Sequence, residues 1–149
     1  YEGALKLSEQ VVLATENKDT ETVANLLAKV HEDKVPVLEY NSESALRYVV
    51  LIAYLAAEKD YLAPLNEFPT GKGFADIVYL PKKVSKKGKP ALIIELKKDA
   101  SAKVALEQIK ERDYVSRVKE YTDNMLLIGI NYDSKSKQHS CIIEKYQNQ

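Results

Sequence analysis

Three charged residues stand inside two apolar segments of this chain, and their types and spacing are suited to chemistry. Asp76 lies within Phe74-Ala75-Asp76-Ile77-Val78-Tyr79, and Glu95 and Lys97 lie within Ala91-Leu92-Ile93-Ile94-Glu95-Leu96-Lys97. Both segments are branched and apolar and bounded by Gly or Pro, which is the pattern of buried strands. An unpaired carboxylate in such a strand is costly, because an isolated ion is poorly solvated in a low-dielectric interior. A divalent cation held by Asp76 and Glu95, with Lys97 beside it, would compensate that cost. Hard oxygen ligands suit Mg2+ or Mn2+, with waters completing the shell. A cation so placed lowers the pKa of a bound water and neutralises charge developing on a phosphate. A lysine at the same spot orients or deprotonates the attacking water, or stabilises the transition state.

The elements that must position these groups are readable from periodicity. Strand side chains alternate faces, so Glu95 and Lys97 share one face while Leu92, Ile94 and Leu96 point to a core. Residues 81–90 are polar and flanked by prolines, and read as a hairpin loop that brings Asp76 alongside Glu95. Strands are predicted at about 61–68, 73–80 and 90–97. Before them, Asn41 or Ser42 caps a helix over 44–58, with Leu46, Val49, Val50, Ala53 and Ala57 on one face. Glu43 stands three residues before Leu46 and can point from the helix start toward the strands. A helix over about 101–120 follows Lys97. Met125–Tyr132 is a continuous apolar strand suited to a sheet covered on both faces, and His139–Lys145 is a last strand, at an edge. Residues 4–16 form an amphipathic helix with Ala4, Leu7, Val11 and Ala14 on one side. Asn17–Thr20 is a turn with a cap, and Val23, Leu26, Leu27 and Val30 make a second helical stripe ended by Pro36.

The set Asp76…Glu95-Leu96-Lys97 resembles the active-site motif of the PD-(D/E)XK nuclease superfamily. The resemblance extends to Glu43 on the first helix and to Gln108-Ile109-Lys110-Glu111-Arg112-Asp113-Tyr114 on the second, and it covers roughly residues 38–145. It is similar in particular to the nuclease-like domain at the C-terminal end of bacterial AAA-ATPase-like proteins, and the two N-terminal helices resemble the segment leading into that domain. One departure is Ala75, which stands where the motif has Pro; the superfamily tolerates this. The resemblance implies an α/β fold with a mixed central sheet flanked by helices, a restriction-endonuclease-like αβββαβ core over 38–149, and an N-terminal helical extension over 1–37. It implies Mg2+- or Mn2+-dependent hydrolysis of a phosphodiester, most naturally in DNA. Asp76, Glu95 and the main-chain carbonyl of Leu96 would hold metal, Lys97 would act on the water, and Glu43 and Gln108 would support them. It also implies an upstream ATPase-like module in the natural protein. The alternative reading is a catalytically silent nucleic-acid- or protein-binding regulatory module. A junction resolvase with the same chemistry would require a homodimer, and the sequence leaves oligomeric state open.

Composition bounds the remaining classes. A chain of 149 residues fits one domain with a sizeable core, and its formal net charge is zero. Any nucleic-acid binding must therefore come from a local patch. One Cys argues against a disulfide scaffold. No signal peptide is visible and no apolar run approaches the ~18 residues needed to cross a bilayer, so a cytoplasmic location is expected. The start at Tyr1 rather than Met reads as a fragment or a processed form.

Other residues carry weaker signals. Lysines 82, 83, 86, 87 and 89 make a basic loop that reads as a solvated tip before it reads as a phosphate contact. Thr70-Gly71-Lys72-Gly73 lacks phosphate-loop spacing and reads as a turn bringing Lys72 near the site. Tyr114 reads as packing or phosphate contact. His31, His139 and Cys141 have no ligand spacing for a structural zinc. No Gly-x-Ser-x-Gly or Cys/His pair suggests acyl transfer.

Overall fold

The apolar segments form the sheet they predict, and both of its faces are covered. The structure is a computed structural model, and it describes residues 2–35, 41–70, 73–85, 88–111 and 118–147. Helices α1 (Glu2–Glu16), α2 (Thr20–Lys34) and α3 (Glu43–Ala53) precede strands β1 (Leu65–Thr70), β2 (Gly73–Tyr79) and β3 (Ala91–Lys98). After helix α4 (Ala102–Glu111), a 3-10 turn over Lys119–Tyr121 precedes β4 (Met125–Asp133) and β5 (Gln138–Lys145). The five strands lie in the order β1-β2-β3-β4-β5. β1, β2 and β3 form an antiparallel meander, β3 and β4 are parallel through the α4 crossover, and β5 returns antiparallel as an edge. The fold is thus mixed α/β, as expected.

Period-two alternation divides the sheet residues between two cores. Ile77, Tyr79, Leu92, Ile94, Ile128, Ile130 and Tyr132 join the three N-terminal helices, which contribute Val11, Val23, Leu27, Leu46 and Val50. Val78, Ile93 and Leu127 face α4 through Leu106 and Ile109. Each such side chain, fully buried, contributes about 1.5–3 kcal/mol. This double burial explains why β3 and β4 read as continuous apolar runs.

Local chemistry sets the helix ends. Asp19 caps α2 by accepting from the Thr22 amide at 3.2 Å, and Lys18 takes the left-handed conformation (φ 56°) that ends α1. Ser42 caps α3, its Oγ accepting from the Ala45 amide at 3.0 Å. Ser101 Oγ does the same for α4 at the Val104 amide. Val35 is extended, as the residue before a proline should be.

Several boundaries differ from the sequence expectation. The first strand begins at Leu65, not at residue 61; Tyr61 makes only an isolated bridge to Pro81. Pro64 lies between them and offers no amide to a ladder. Pro69 is tolerated because β1 is the other sheet edge. The 44–58 helix is α-helical from Glu43 to Ala53 and tightens to a 3-10 helix over Leu55–Lys59. Of the 101–120 helix, Ala102–Glu111 is α-helical, residues 112–117 lie outside the described residues, and Lys119–Tyr121 is a 3-10 turn. In the basic loop, Lys89 pairs with Glu16 at 3.1 Å and with Asp60 at 3.8 Å, so it ties the loop to α1. Lys86 and Lys87 lie outside the described residues. Among the described residues, no helix is long and apolar enough to cross a membrane.

Candidate active site

The β2–β3 ladder pairs Tyr79 with Leu92, Val78 with Ile93 and Ile77 with Ile94. One step further along that register, Asp76 comes opposite Glu95 on the α4 face of the sheet. Here a side chain replaces the main-chain ladder: Asp76 Oδ2 accepts the Leu96 amide at 2.8 Å. The bond satisfies a main-chain donor of β3 and links Asp76 directly to the Glu95-Leu96-Lys97 segment. Glu95 is only 2 % exposed, while Lys97 is half-buried.

These residues line a cleft of about 410 Å³ at the end of β3. Glu43, in the first turn of α3, enters the cleft from one side, and Gln108 of α4 enters from the other. The capped start of α3 sets the position of Glu43, whose side chain is exposed. On α4, Gln108 is half-buried among Ala105, Leu106 and Ile109, which hold the helix against the sheet. The structure therefore brings together Asp76, Glu95, Leu96, Lys97, Glu43 and Gln108. Lys72 and Tyr114 lie outside the described residues.

Three cleft residues were missed by sequence reasoning: Ser44, Arg47 and Lys98. Arg47 is the most consequential. Its Nη1 donates to the main-chain oxygen of Asp76 at 3.0 Å, and its Nη2 lies 3.4 Å from Asp76 Oδ1. The available signal was spacing: Arg47 is four residues after Glu43, so both project from the same side of α3.

The cleft carries three acidic side chains (Glu43, Asp76, Glu95) and three basic ones (Arg47, Lys97, Lys98), so it is neutral by formal charge. A bound divalent cation would make it positive by two and thereby attractive to a phosphate. Among the described residues, no group of three or more His, Cys, Asp or Glu could hold a metal ion. The donor set is smaller, two carboxylates from adjacent strands. It fits Mg2+, which binds through one or two carboxylates and keeps several waters.

A second polar cluster lies away from this cleft. His31 Nδ1 and His139 Nε2 are 2.8 Å apart, joining α2 to β5, and both rings contact Tyr132. Nothing in the local sequence around either histidine signals the pair, because the two are 108 positions apart.

Comparison with known proteins bears on the cleft. A family model described as the PD-(D/E)XK nuclease superfamily matches residues 42–141, about two thirds of the chain and every residue lining the cleft. No curated protein matches the chain.

Proposed function

The chain belongs to the PD-(D/E)XK nuclease superfamily, and on that footing we propose that it is a metal-dependent nuclease that hydrolyses phosphodiester bonds, in DNA first of all. Its five-stranded mixed sheet flanked by helices agrees with the restriction-endonuclease-like fold of that superfamily. The observation that carries the activity is the Asp76 Oδ2 bond to the Leu96 amide at 2.8 Å. It joins the isolated Asp to the Glu-x-Lys segment inside one cleft.

Superfamily nucleases typically use Mg2+ or Mn2+. In this reading Asp76, Glu95 and the main-chain carbonyl of Leu96 would hold the ion. A bound ion would supply Lewis acidity at the phosphate and make a water more acidic. The chain's own groups do the rest. Lys97, two residues after Glu95 on the same strand face, orients the attacking water or takes its proton. Gln108 and Glu43 hold the water and the sugar-phosphate backbone from the two flanking helices. The hydrophobic sheet under Glu95 keeps its carboxylate from solvent, which strengthens its attraction for a cation.

The upstream context is part of the same proposal. The two N-terminal helices and the Gln108–Tyr114 segment carry the resemblance to the C-terminal domain of bacterial AAA-ATPase-like proteins. On that basis residues 1–37 are an extension to the nuclease domain, and an ATPase-like module would act upstream of it in the cytoplasm. A homodimer would be needed only for junction resolution.

Plasmid and single-stranded DNA incubated with Mg2+ or Mn2+ test the activity. Cutting that needs the ion and disappears in Asp76→Ala and Glu95→Ala supports it. A second reading, a silent binding module, is favoured by the Arg47 guanidinium at Asp76 Oδ1, where it competes with any cation. Binding without cutting, unchanged in both variants, would establish that reading and reject the nuclease.

A further inference from the structure

We infer that Arg47 is a phosphate-binding residue of the cleft, held in readiness by Asp76 until a cation takes its place. The inference rests on the nuclease reading above and specifies how its substrate is gripped. Two contacts of Arg47 to Asp76 differ in kind. The Nη1 bond to the Asp76 main-chain oxygen, at 3.0 Å, does not depend on the carboxylate, so it fixes where the guanidinium sits. The Nη2 contact to Oδ1, at 3.4 Å, is long, and both side chains are partly exposed, at 32 % and 24 %. Such a pair is weak and readily exchanged.

The other carboxylate oxygen is already committed, because Oδ2 accepts the Leu96 amide. Oδ1, held only by the long Arg47 contact, is therefore the oxygen that Asp76 most readily offers to a cation. Once it does so, like charge disfavours the guanidinium at that oxygen, and the Nη2 donors turn to the nearest anion in the cleft. In a nuclease that anion is a phosphate of the bound strand. A planar guanidinium matches two phosphate oxygens at once, which an ammonium cannot do. Arg47 also has a 3.4 Å contact from Nη1 to Asn66 Oδ1, which steadies the group from β1 without neutralising it. The cleft's formal neutrality suits this exchange: a bound cation would make it positive and free Arg47 toward the phosphate at the same time.

The test is fluorescence anisotropy of a labelled DNA duplex, with Ca2+ replacing Mg2+ so that binding is read without cutting, over a range of salt. Wild type is compared with Arg47→Ala, Arg47→Lys and Lys29→Ala; Lys29 is an exposed residue of α2 away from the cleft. Expected for Arg47→Ala is roughly tenfold weaker binding and a salt slope smaller by about one phosphate. Arg47→Lys should restore the slope and only part of the affinity, and it guards against misfolding of the alanine variant. Lys29→Ala should change neither quantity. If wild type binds DNA and Arg47→Ala binds with the same affinity and slope, or if Lys29→Ala matches it, Arg47 is only a structural partner of Asp76 and the inference is overturned. If wild type neither binds nor cuts nucleic acid, the nuclease reading falls and this inference falls with it.

Discussion

Glu95 and Gly129 are neighbours in the parallel β3–β4 register, and at Gly129 the main chain of α4 lies directly against the sheet. A Cβ at Gly129 would collide with the Ala102 carbonyl oxygen and stand 2.8 Å from the Leu106 amide nitrogen, both main-chain atoms of α4. The missing side chain beside Glu95 is thus what lets α4 descend onto β4 and carry Gln108 into the cleft.

Gly129→Ala should therefore lift α4. Main-chain atoms cannot rotate aside, so the expected cost is about 1–3 kcal/mol or more. Urea unfolding followed by circular dichroism measures it. DNA cleavage at a temperature where the variant is still folded should fall as well, since Gln108 moves away from Glu95. An unchanged midpoint would show that the helix shifts freely at this position.

Asp76 has a structural bond as well as a proposed chemical role, and two substitutions separate them. Asp76→Ala removes the acceptor for the Leu96 amide and should lower stability by about 1 kcal/mol. Asp76→Asn keeps an acceptor and should stay near wild type in stability. Both should lose Mn2+ binding by calorimetry and at least roughly a hundredfold in cleavage rate. Retained metal binding in Asp76→Asn would contradict the assignment of Asp76 as a ligand.

The start of α3 places both Glu43 and Arg47, and Ser42 holds it. Ser42→Ala leaves the Ala45 amide without its side-chain acceptor and should cost about 1 kcal/mol. Differential scanning calorimetry would register this as a lower Tm. An equal Tm would mean that the cap is replaced by solvent at no cost.

Acid should weaken the junction between α2 and β5. Burial, and then the neighbouring His31, hold the His139 pKa down at about 4. An unfolded histidine titrates near 6.5. Between these values the unfolded chain binds the extra proton, so stability rises with pH across that window. The contribution is complete above about 6.5 and is lost as pH falls toward 4. His139 Nδ1 is itself buried without a hydrogen-bond partner among the described residues, so a proton there would face no acceptor. Tm should drop by a few degrees from pH 7 to pH 5 in wild type, and by less in His139→Asn. Identical pH slopes for the two proteins would remove the pair from the explanation.

Much of the fold was legible because its signals are local. The apolar runs of β3 and β4, the cap residues Asp19 and Ser42, and the helical stripes of α2 and α3 each declare themselves within a few residues. The charged interruptions Asp76 and Glu95-Leu96-Lys97 were legible for the same reason, since charge inside a buried strand requires compensation wherever it occurs. Element ends were less legible. Pro64 delayed β1 because it offers no ladder amide, a local signal outweighed by the apolar run around it, and α3 tightened after Ala53 because tertiary contacts choose among conformations that local propensity ranks nearly equal.

Local pattern along the chain was thus enough to say which residues form strands, which helix faces are buried, and which acids sit where acids are costly. The tertiary structure alone decided the partners across long separations: Arg47 on Asp76, Gly129 beneath α4, His31 against His139. Period and propensity act between residues a few positions apart. A contact between residues 29 or 108 positions apart depends on how whole elements pack, and no local pattern encodes that.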